Sequence, residues 1–207
     1  MVVVHRAFRR ELAVLPRLVR QVSAGDTRRA GVVGSHGRLV LDALHLHHSG
    51  EDELLWPKLL ERCSPDAELV RRMEAQHERV AHHLERLQTA LRRWEAEARP
   101  AVTEEVASTF DALRTELCAH LDEEERSILP LAASHLSQQE WSQLGEHGIA
   151  KMTRSQLPLL FGMILEDADP EETAAMYATV PGPVRVLTKL VFLPNYRRYV
   201  SRVRRSA

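Results

Sequence analysis

The chain has 207 residues, of which 44% are hydrophobic, so it is long enough for one large domain or for one domain with an extension. Its formal net charge is −1, which gives no reason to expect a nucleic-acid partner. The two cysteines, Cys63 and Cys118, are not arranged as CxxC, and this argues against a zinc–thiolate site and a disulfide framework.

The start of the chain, Met-Val-Val-Val-His-Arg, has too short an apolar run for a signal peptide. No stretch approaches the roughly 18 consecutive apolar residues that a membrane-spanning helix needs. We therefore expect a protein without a transmembrane segment, in a reducing cytoplasm.

Apolar residues recur at helical spacing along four long segments that are rich in helix formers. These segments predict helices at about 2–23, 27–62, 66–98 and 101–133. No segment shows sustained strict alternation, so no sheet is expected. We expect Pro16 to kink the first helix, and Pro57 and Pro130 to bend the last turns of the second and the fourth.

The chain after residue 133 has shorter elements, separated by prolines. Leu136 to Lys151 predicts a fifth helix, and shorter helices are predicted near 155–167, 170–179 and 184–193. The end is basic, and we expect it to be a helical lid over one end of the site, or a surface for a partner or a membrane. The predicted fold class is all-α: an up-down-up-down four-helix bundle over 1–133, with a helical extension over 134–207 that packs on it.

Each of the four long segments carries one histidine in its apolar stripe, and two of these histidines are followed four residues later by glutamate. The six residues are His5, His47, Glu51, His77, His120 and Glu124. Turn signals fall almost midway between successive histidines, at 25–26, 64–65 and 99–100. Residues equidistant from a connecting turn lie at the same level of an up-down-up-down bundle. The six side chains should therefore meet in one layer of the core.

A layer of this composition predicts a metal site, because a bare carboxylate in apolar surroundings is very costly. Residues four apart share a helix face, so each His-x-x-x-Glu pair can give one imidazole and one carboxylate to neighbouring ions. A mixed site without cysteine suits iron or manganese better than structural zinc. Ferritin-like bundles use Glu-x-x-His, with the carboxylate first, so we disfavour that class. The pattern favours a dinuclear iron centre.

Several neighbouring residues remain open at this point. His48 and Asp52 also stand four apart, one step round the second helix, either as the true pair or as contacts behind the ligands. Glu125 is the alternative to Glu124.

Two further histidines have weaker claims. His36 lies about 16 Å along a helix from His47, so it is expected in the core or beside an access path. His147 would be level with the site if the chain folds back near 134–137, although four helices already enclose the layer.

The order His, His-x-x-x-Glu, His, His-x-x-x-Glu resembles the hemerythrin-like (HHE cation-binding) domain family over about residues 1–133. The resemblance implies two non-haem iron ions with an oxo or hydroxo bridge. It also implies that the six residues are the ligands and that Glu51 and Glu124 are the bridging carboxylates. The oxygen carriers of the family have a fifth histidine on the third helix, where this chain has Met73 and Ala81 around His77.

This departure disfavours simple reversible oxygen carriage. The first hypothesis is therefore a di-iron protein that binds or reacts with a small diatomic or peroxide ligand (dioxygen, nitric oxide or hydrogen peroxide) in an oxidative-stress response, including catalase-like peroxide decomposition. The second is a redox or oxygen sensor that signals through its C-terminal helices to a protein partner that the sequence does not identify. The third is iron storage or mononuclear metal binding.

Overall fold

A computed structural model describes residues 1–178, 180 and 182–205, without the side chain of Pro183. Within these residues the chain forms helices and turns and no strand, so the predicted all-α class is confirmed. Thr179, the last residue of the predicted helix 170–179, lies outside the described residues, as does Pro181. None of the helices in the described part of the chain has both the length and the apolar character needed to cross a bilayer.

The four predicted long helices correspond to six helical elements in the first part of the chain, because the second and the fourth are each divided in two. The elements are α1 (Val2–Arg20), α2 (Thr27–Leu54), α3 (Trp56–Arg62), α4 (Ala67–Glu97), α5 (Pro100–Glu123) and α6 (Leu129–His135). Helix α1 packs on α2 and α5, and α4 also packs on α2 and α5. The four long helices thus surround a common core, and most of the apolar residues that recur at helical spacing along them are buried; Leu54 and Leu131 are half-buried.

The turns between the long helices fall where the sequence places them. Gly25 adopts φ 81° and Ala98 adopts φ 44°, both in the left-handed region. The Gly25 N–H donates to the Ala98 carbonyl at 3.0 Å, which joins the α1–α2 turn to the α4–α5 turn at one end of the bundle. Asp26 then caps α2, because its carboxylate accepts a hydrogen bond from the Arg29 N–H at 2.9 Å.

Prolines divide two of the predicted helices. The predicted helix 27–62 is interrupted at Leu55, and Pro57 lies in the first turn of α3. The predicted helix 101–133 changes to a π-helical turn at Glu124–Ile128, just before Pro130. Proline has no N–H to donate to the carbonyl four residues earlier, so the ordinary helical ladder is interrupted at these places. By contrast, α1 continues through Pro16.

The rest of the chain packs against the bundle helices. It consists of α7 (Gln138–Lys151), α8 (Gln156–Leu165), α9 (Pro170–Ala178), α10 (Gly182–Leu187), a π-helical turn (Thr188–Phe192) and α11 (Leu193–Arg204). Helix α7 lies on α2, α8 on α1, and α11 on both α2 and α8. The predicted end of the last helix at 193 is wrong, because α11 continues to Arg204. Pro194 lies in the first turn of α11, where a backbone N–H is not needed for the hydrogen bonds within the helix.

Candidate metal centre

The six predicted residues come together in the core, and a seventh joins them. Their donor atoms form two overlapping groups, in each of which the atoms lie within 4.8 Å of one another. One group is His5, His47, Glu51 and Glu124, and the other is His48, Glu51, His77 and His120. Glu51 belongs to both groups, so its carboxylate lies between two places where a cation fits. His48 was left open by the sequence, and it is part of the cluster.

Two pairs of imidazole nitrogens face each other across the core. The Nε2 atoms of His5 and His47 are 3.2 Å apart, and those of His77 and His120 are also 3.2 Å apart. Two nitrogens that bind one ion at about 2.1 Å lie about 3 Å from each other. Each pair is therefore spaced as two ligands of one metal ion would be.

The outer nitrogens of three of these rings contact acceptors, which determines where the ring proton resides. Nδ1 contacts the carboxylate of Glu125 in His5 (2.8 Å), the carboxylate of Asp52 in His77 (2.6 Å) and the amide oxygen of Gln76 in His120 (2.8 Å). Because these oxygens only accept, Nδ1 carries the proton, and the lone pair of Nε2 faces the core.

Two supporting residues are themselves held in position. Gln76 donates its amide N–H to Glu123 at 2.7 Å, so its oxygen is the atom that faces His120. The indole N–H of Trp56 donates to Asp52 at 2.9 Å and keeps that carboxylate on the outer nitrogen of His77. Each contact fixes the orientation of an imidazole.

The two carboxylates at the centre are the least satisfied groups of the site. Glu51 and Glu124 are 1% and 0% exposed, and none of their four oxygens has a hydrogen-bond partner among the described residues. The closest imidazole nitrogens stand 3.4 Å away, too far for a normal N–H···O bond. Burial raises the pKa of both carboxyl groups, and the nearby Glu124 raises that of Glu51 further. Cations between them would satisfy these oxygens, so the residues present fit bound metal.

Four histidines of the cluster, His5, His47, His48 and His120, have lowered pKa values that keep them neutral and ready to bind metal. Burial lowers the pKa of His5 to about 3 and that of His120 to about 2. Burial also lowers the pKa of His47 and His48 well below the ordinary value. Neutral imidazole is the metal-binding form, so no proton has to leave these rings at neutral pH.

The π-helical turn separates the two adjacent glutamates into different roles. In this turn the Leu129 N–H donates to the Glu124 carbonyl, five residues earlier. Such turns are frequent at functional sites. Glu124 lies in the central cluster, whereas Glu125 contacts the outer nitrogen of His5 and accepts a hydrogen bond from Arg9 at 2.7 Å. The geometry therefore favours Glu124, and not the alternative Glu125, as the carboxylate inside the cluster.

The remaining candidates lie outside the cluster. Asp52 is on the outer side of His77, so the alternative pair His48–Asp52 is divided between the inside and the outside of the site. His147 lies beside Gly50 and Glu53, on the face of α2 that meets α7.

His36 lies away from the cluster on the same helix α2. Its Nε2 contacts Glu11 and its Nδ1 contacts the Tyr199 hydroxyl, each at 3.0 Å. It therefore joins α2 to α1 and α11 and contributes nothing to the metal site.

Buried imidazoles and carboxylates that meet inside a helical bundle define a cation-binding class of protein. A family model described as Hemerythrin HHE cation binding domain matches residues 1–132. The chain therefore belongs to the hemerythrin HHE cation-binding domain family, as the sequence pattern predicts. Neither a search of curated proteins nor a search of solved structures found a match.

Proposed function

We propose that this protein holds two non-haem iron ions and uses them to bind or react with small oxidants. The observation that carries the proposal is a pair of carboxylates, Glu51 and Glu124, that have no hydrogen-bond partner in the described part of the chain and lie between two pairs of facing Nε2 atoms. Under this proposal the ligands are His5, His47, Glu51, His77, His120 and Glu124. Bound iron would supply the electron changes needed with dioxygen, hydrogen peroxide or nitric oxide.

The protein side chains would prepare and protect this chemistry. Acceptors on the outer nitrogens hold three imidazoles with their lone pairs inward. Five of the six proposed ligands are at most 5% exposed, which excludes bulk water and large substrates. His47 is the most accessible of the six, with 11% of its side chain exposed, so a small oxidant would enter beside it.

The proposal includes the organisation of the chain. Residues 1–133 would form an up-down-up-down bundle that carries the site, and residues 134–207 a helical extension on its surface. The bond between Gly25 and Ala98 supports this topology, because it requires the first and third turns to share one end. We also propose a role in the response to oxidative stress.

Iron loading and peroxide turnover test the proposal. Anaerobic loading of the purified chain should give two irons per chain by elemental analysis. His47→Ala should lose this stoichiometry, whereas His82→Ala, at an exposed position of α4, should retain it. One iron per chain in the wild type would instead favour mononuclear binding. Sustained oxygen evolution from hydrogen peroxide would indicate an enzyme, and a single stoichiometric reaction would indicate a sensor.

The sensing alternative has one structural observation in its favour. Glu11 of α1 contacts Arg204 of α11 at 2.8 Å, and His36 of α2 contacts Tyr199 of α11 at 3.0 Å. A shift of α1 or α2 on oxidation would therefore reach the C-terminal helix through these partly buried polar contacts. A sensor would show a change in proteolysis of α11 between the oxidised and reduced loaded protein.

A further inference from the structure

His48 occupies the core of the imidazole cluster, although it directly follows His47 in the sequence. Its ring stacks on His77 with 4.0 Å between ring centroids and 8° between planes, and it meets His120 edge-on at 5.1 Å. Consecutive helical residues point about 100° apart. Because α2 lies between α1 and α4, His47 reaches His5 on α1 while His48 reaches His77 on α4.

The Nε2 atom of His48 is buried and has no hydrogen-bond partner within the part of the chain that the structure describes. Leaving a buried imidazole nitrogen in this state is costly. His36 provides a comparison on the same helix: it is also buried, and both of its ring nitrogens have partners. On this helix, therefore, one buried histidine is fully satisfied, whereas His48 keeps a buried nitrogen that a bound ion would satisfy.

The donor count points in the same direction. A ring nitrogen of His48 lies within 4.8 Å of donor atoms of Glu51, His77 and His120. Helix α4 supplies one imidazole, because Met73 and Ala81 stand one turn to either side of His77. With His48 included, the second group has four donors, as many as the first group.

We propose that His48 is a fifth imidazole ligand, which α2 contributes to the ion held by His77 and His120. This inference rests on the proposed function, since it assigns one more ligand to the same metal pair. It makes the two ions chemically unequal: one would have two imidazoles from this chain and the other three.

Replacement of His48 by phenylalanine is the direct test. Phe keeps a flat ring that can stack on His77 but has no nitrogen, so a role in packing survives and a role in ligation does not. After anaerobic loading with ferrous iron, wild-type protein should hold two irons per chain in two distinct Mössbauer environments. His48→Phe should hold one, or bind the second at least tenfold more weakly. His82→Phe is the matched control and should behave as the wild type.

A second measurement needs no variant, and it decides the matter if His48→Phe does not fold. In protein loaded with diamagnetic zinc ions, long-range ¹H–¹⁵N spectra report the shift of each imidazole nitrogen. We expect one nitrogen of His48 to shift on loading together with those of His77 and His120. An unshifted His48 beside two shifted neighbours would overturn the inference.

The outcomes separate the two proposals. Two irons with unchanged affinity in His48→Phe would overturn the role of His48 and leave the di-iron proposal standing. Fewer than two irons in the folded wild type would overturn both. Loss of one iron in His48→Phe, with two retained in the wild type and in His82→Phe, would support both.

Discussion

The contacts behind the imidazoles explain how single side chains prepare the site. A carboxylate or amide oxygen on an outer nitrogen forces the proton outward and orients the ring. The inner faces of Glu51 and Glu124 have no such support from the described residues. The core thus consists of oriented imidazoles around two buried carboxyl groups that lack partners among the described residues, so we expect these carboxyl groups to favour metal binding more than they favour the fold.

We therefore expect that removing the carboxyl group of Glu124 raises the stability of the protein without metal and weakens metal binding. Glu124→Leu removes a buried, unsatisfied carboxyl group, so the metal-free variant should be more stable by about 1–3 kcal/mol in urea unfolding. The same variant should fail to hold two irons.

The control for this prediction is Glu124→Gln, which keeps the shape and leaves a polar group buried. It should lose metal without the gain in stability. A metal-free Glu124→Leu protein that unfolds more easily than wild type would show that the carboxyl group has partners which this account does not include.

The sequence predicted the six side chains of the cluster but not the place of His48. Apolar stripes identify one inward face per helix, and His48 lies one step round from that face. In the bundle, α2 has neighbours on two sides, so two consecutive residues both reach the core. Gln76, unlike His48, was not considered at all, because its role depends on the distance between α4 and α5, which no spacing within one helix encodes.

At the scale of helices, the spacing of apolar residues predicts the long helices, and the capping, glycine and proline residues predict where they end. Capping, the Gly25 turn and the positions of prolines are all readable from a few neighbouring residues. The break of the second predicted helix at Leu55 and the π-helical turn that begins at Glu124 were harder to predict from the sequence. A proline indicates where the helical hydrogen bonds are interrupted, but not which backbone conformation the chain adopts there.

Helix capping gives a prediction at this scale. Asp26→Ala removes the acceptor for the Arg29 N–H at the start of α2 and should lower the free energy of unfolding by about 1 kcal/mol. Asp26→Asn keeps an equivalent acceptor and should stay close to wild type in the same thermal or urea unfolding experiment. Equal losses in the two variants would show that charge, and not the cap, is what matters there.

At the scale of the whole molecule, a buried polar network connects the bundle to the C-terminal helices. Glu11, which is fully buried, contacts His36, Arg10 and Arg204. Arg204 also pairs with Glu166 at the end of α8. The sequence predicted a helical extension that packs on the bundle, but not the residues that make this contact, because their long-range pairing has no periodic signature.

The network should make stability depend on pH. Burial alone would raise the pKa of Glu11, but the hydrogen bond from His36 and the charges of His36, Arg10 and Arg204 lower it to about 2 from an ordinary value of 4.5. A carboxyl group whose pKa is lowered by folding adds stability that is complete above 4.5 and is lost as the pH falls toward 2. The full contribution is on the order of 3 kcal/mol.

Urea unfolding of wild type and Glu11→Gln over that range measures this contribution. The difference in unfolding free energy should be largest above pH 4.5 and should shrink as the pH approaches 2. Glu61→Gln, at an exposed position, should show no comparable trend. A difference between wild type and Glu11→Gln that is independent of pH would mean that the side chain matters for packing alone.

Anomalous diffraction at the iron absorption edge, from crystals of the iron-loaded protein, tests whether these side chains hold two ions. We expect two anomalous peaks about 3.5–4 Å apart. One peak should lie between the Nε2 atoms of His5 and His47, the other between those of His77 and His120, and Glu51 should lie within reach of both. A single peak, or iron bound away from these side chains, would contradict a di-iron centre at this site.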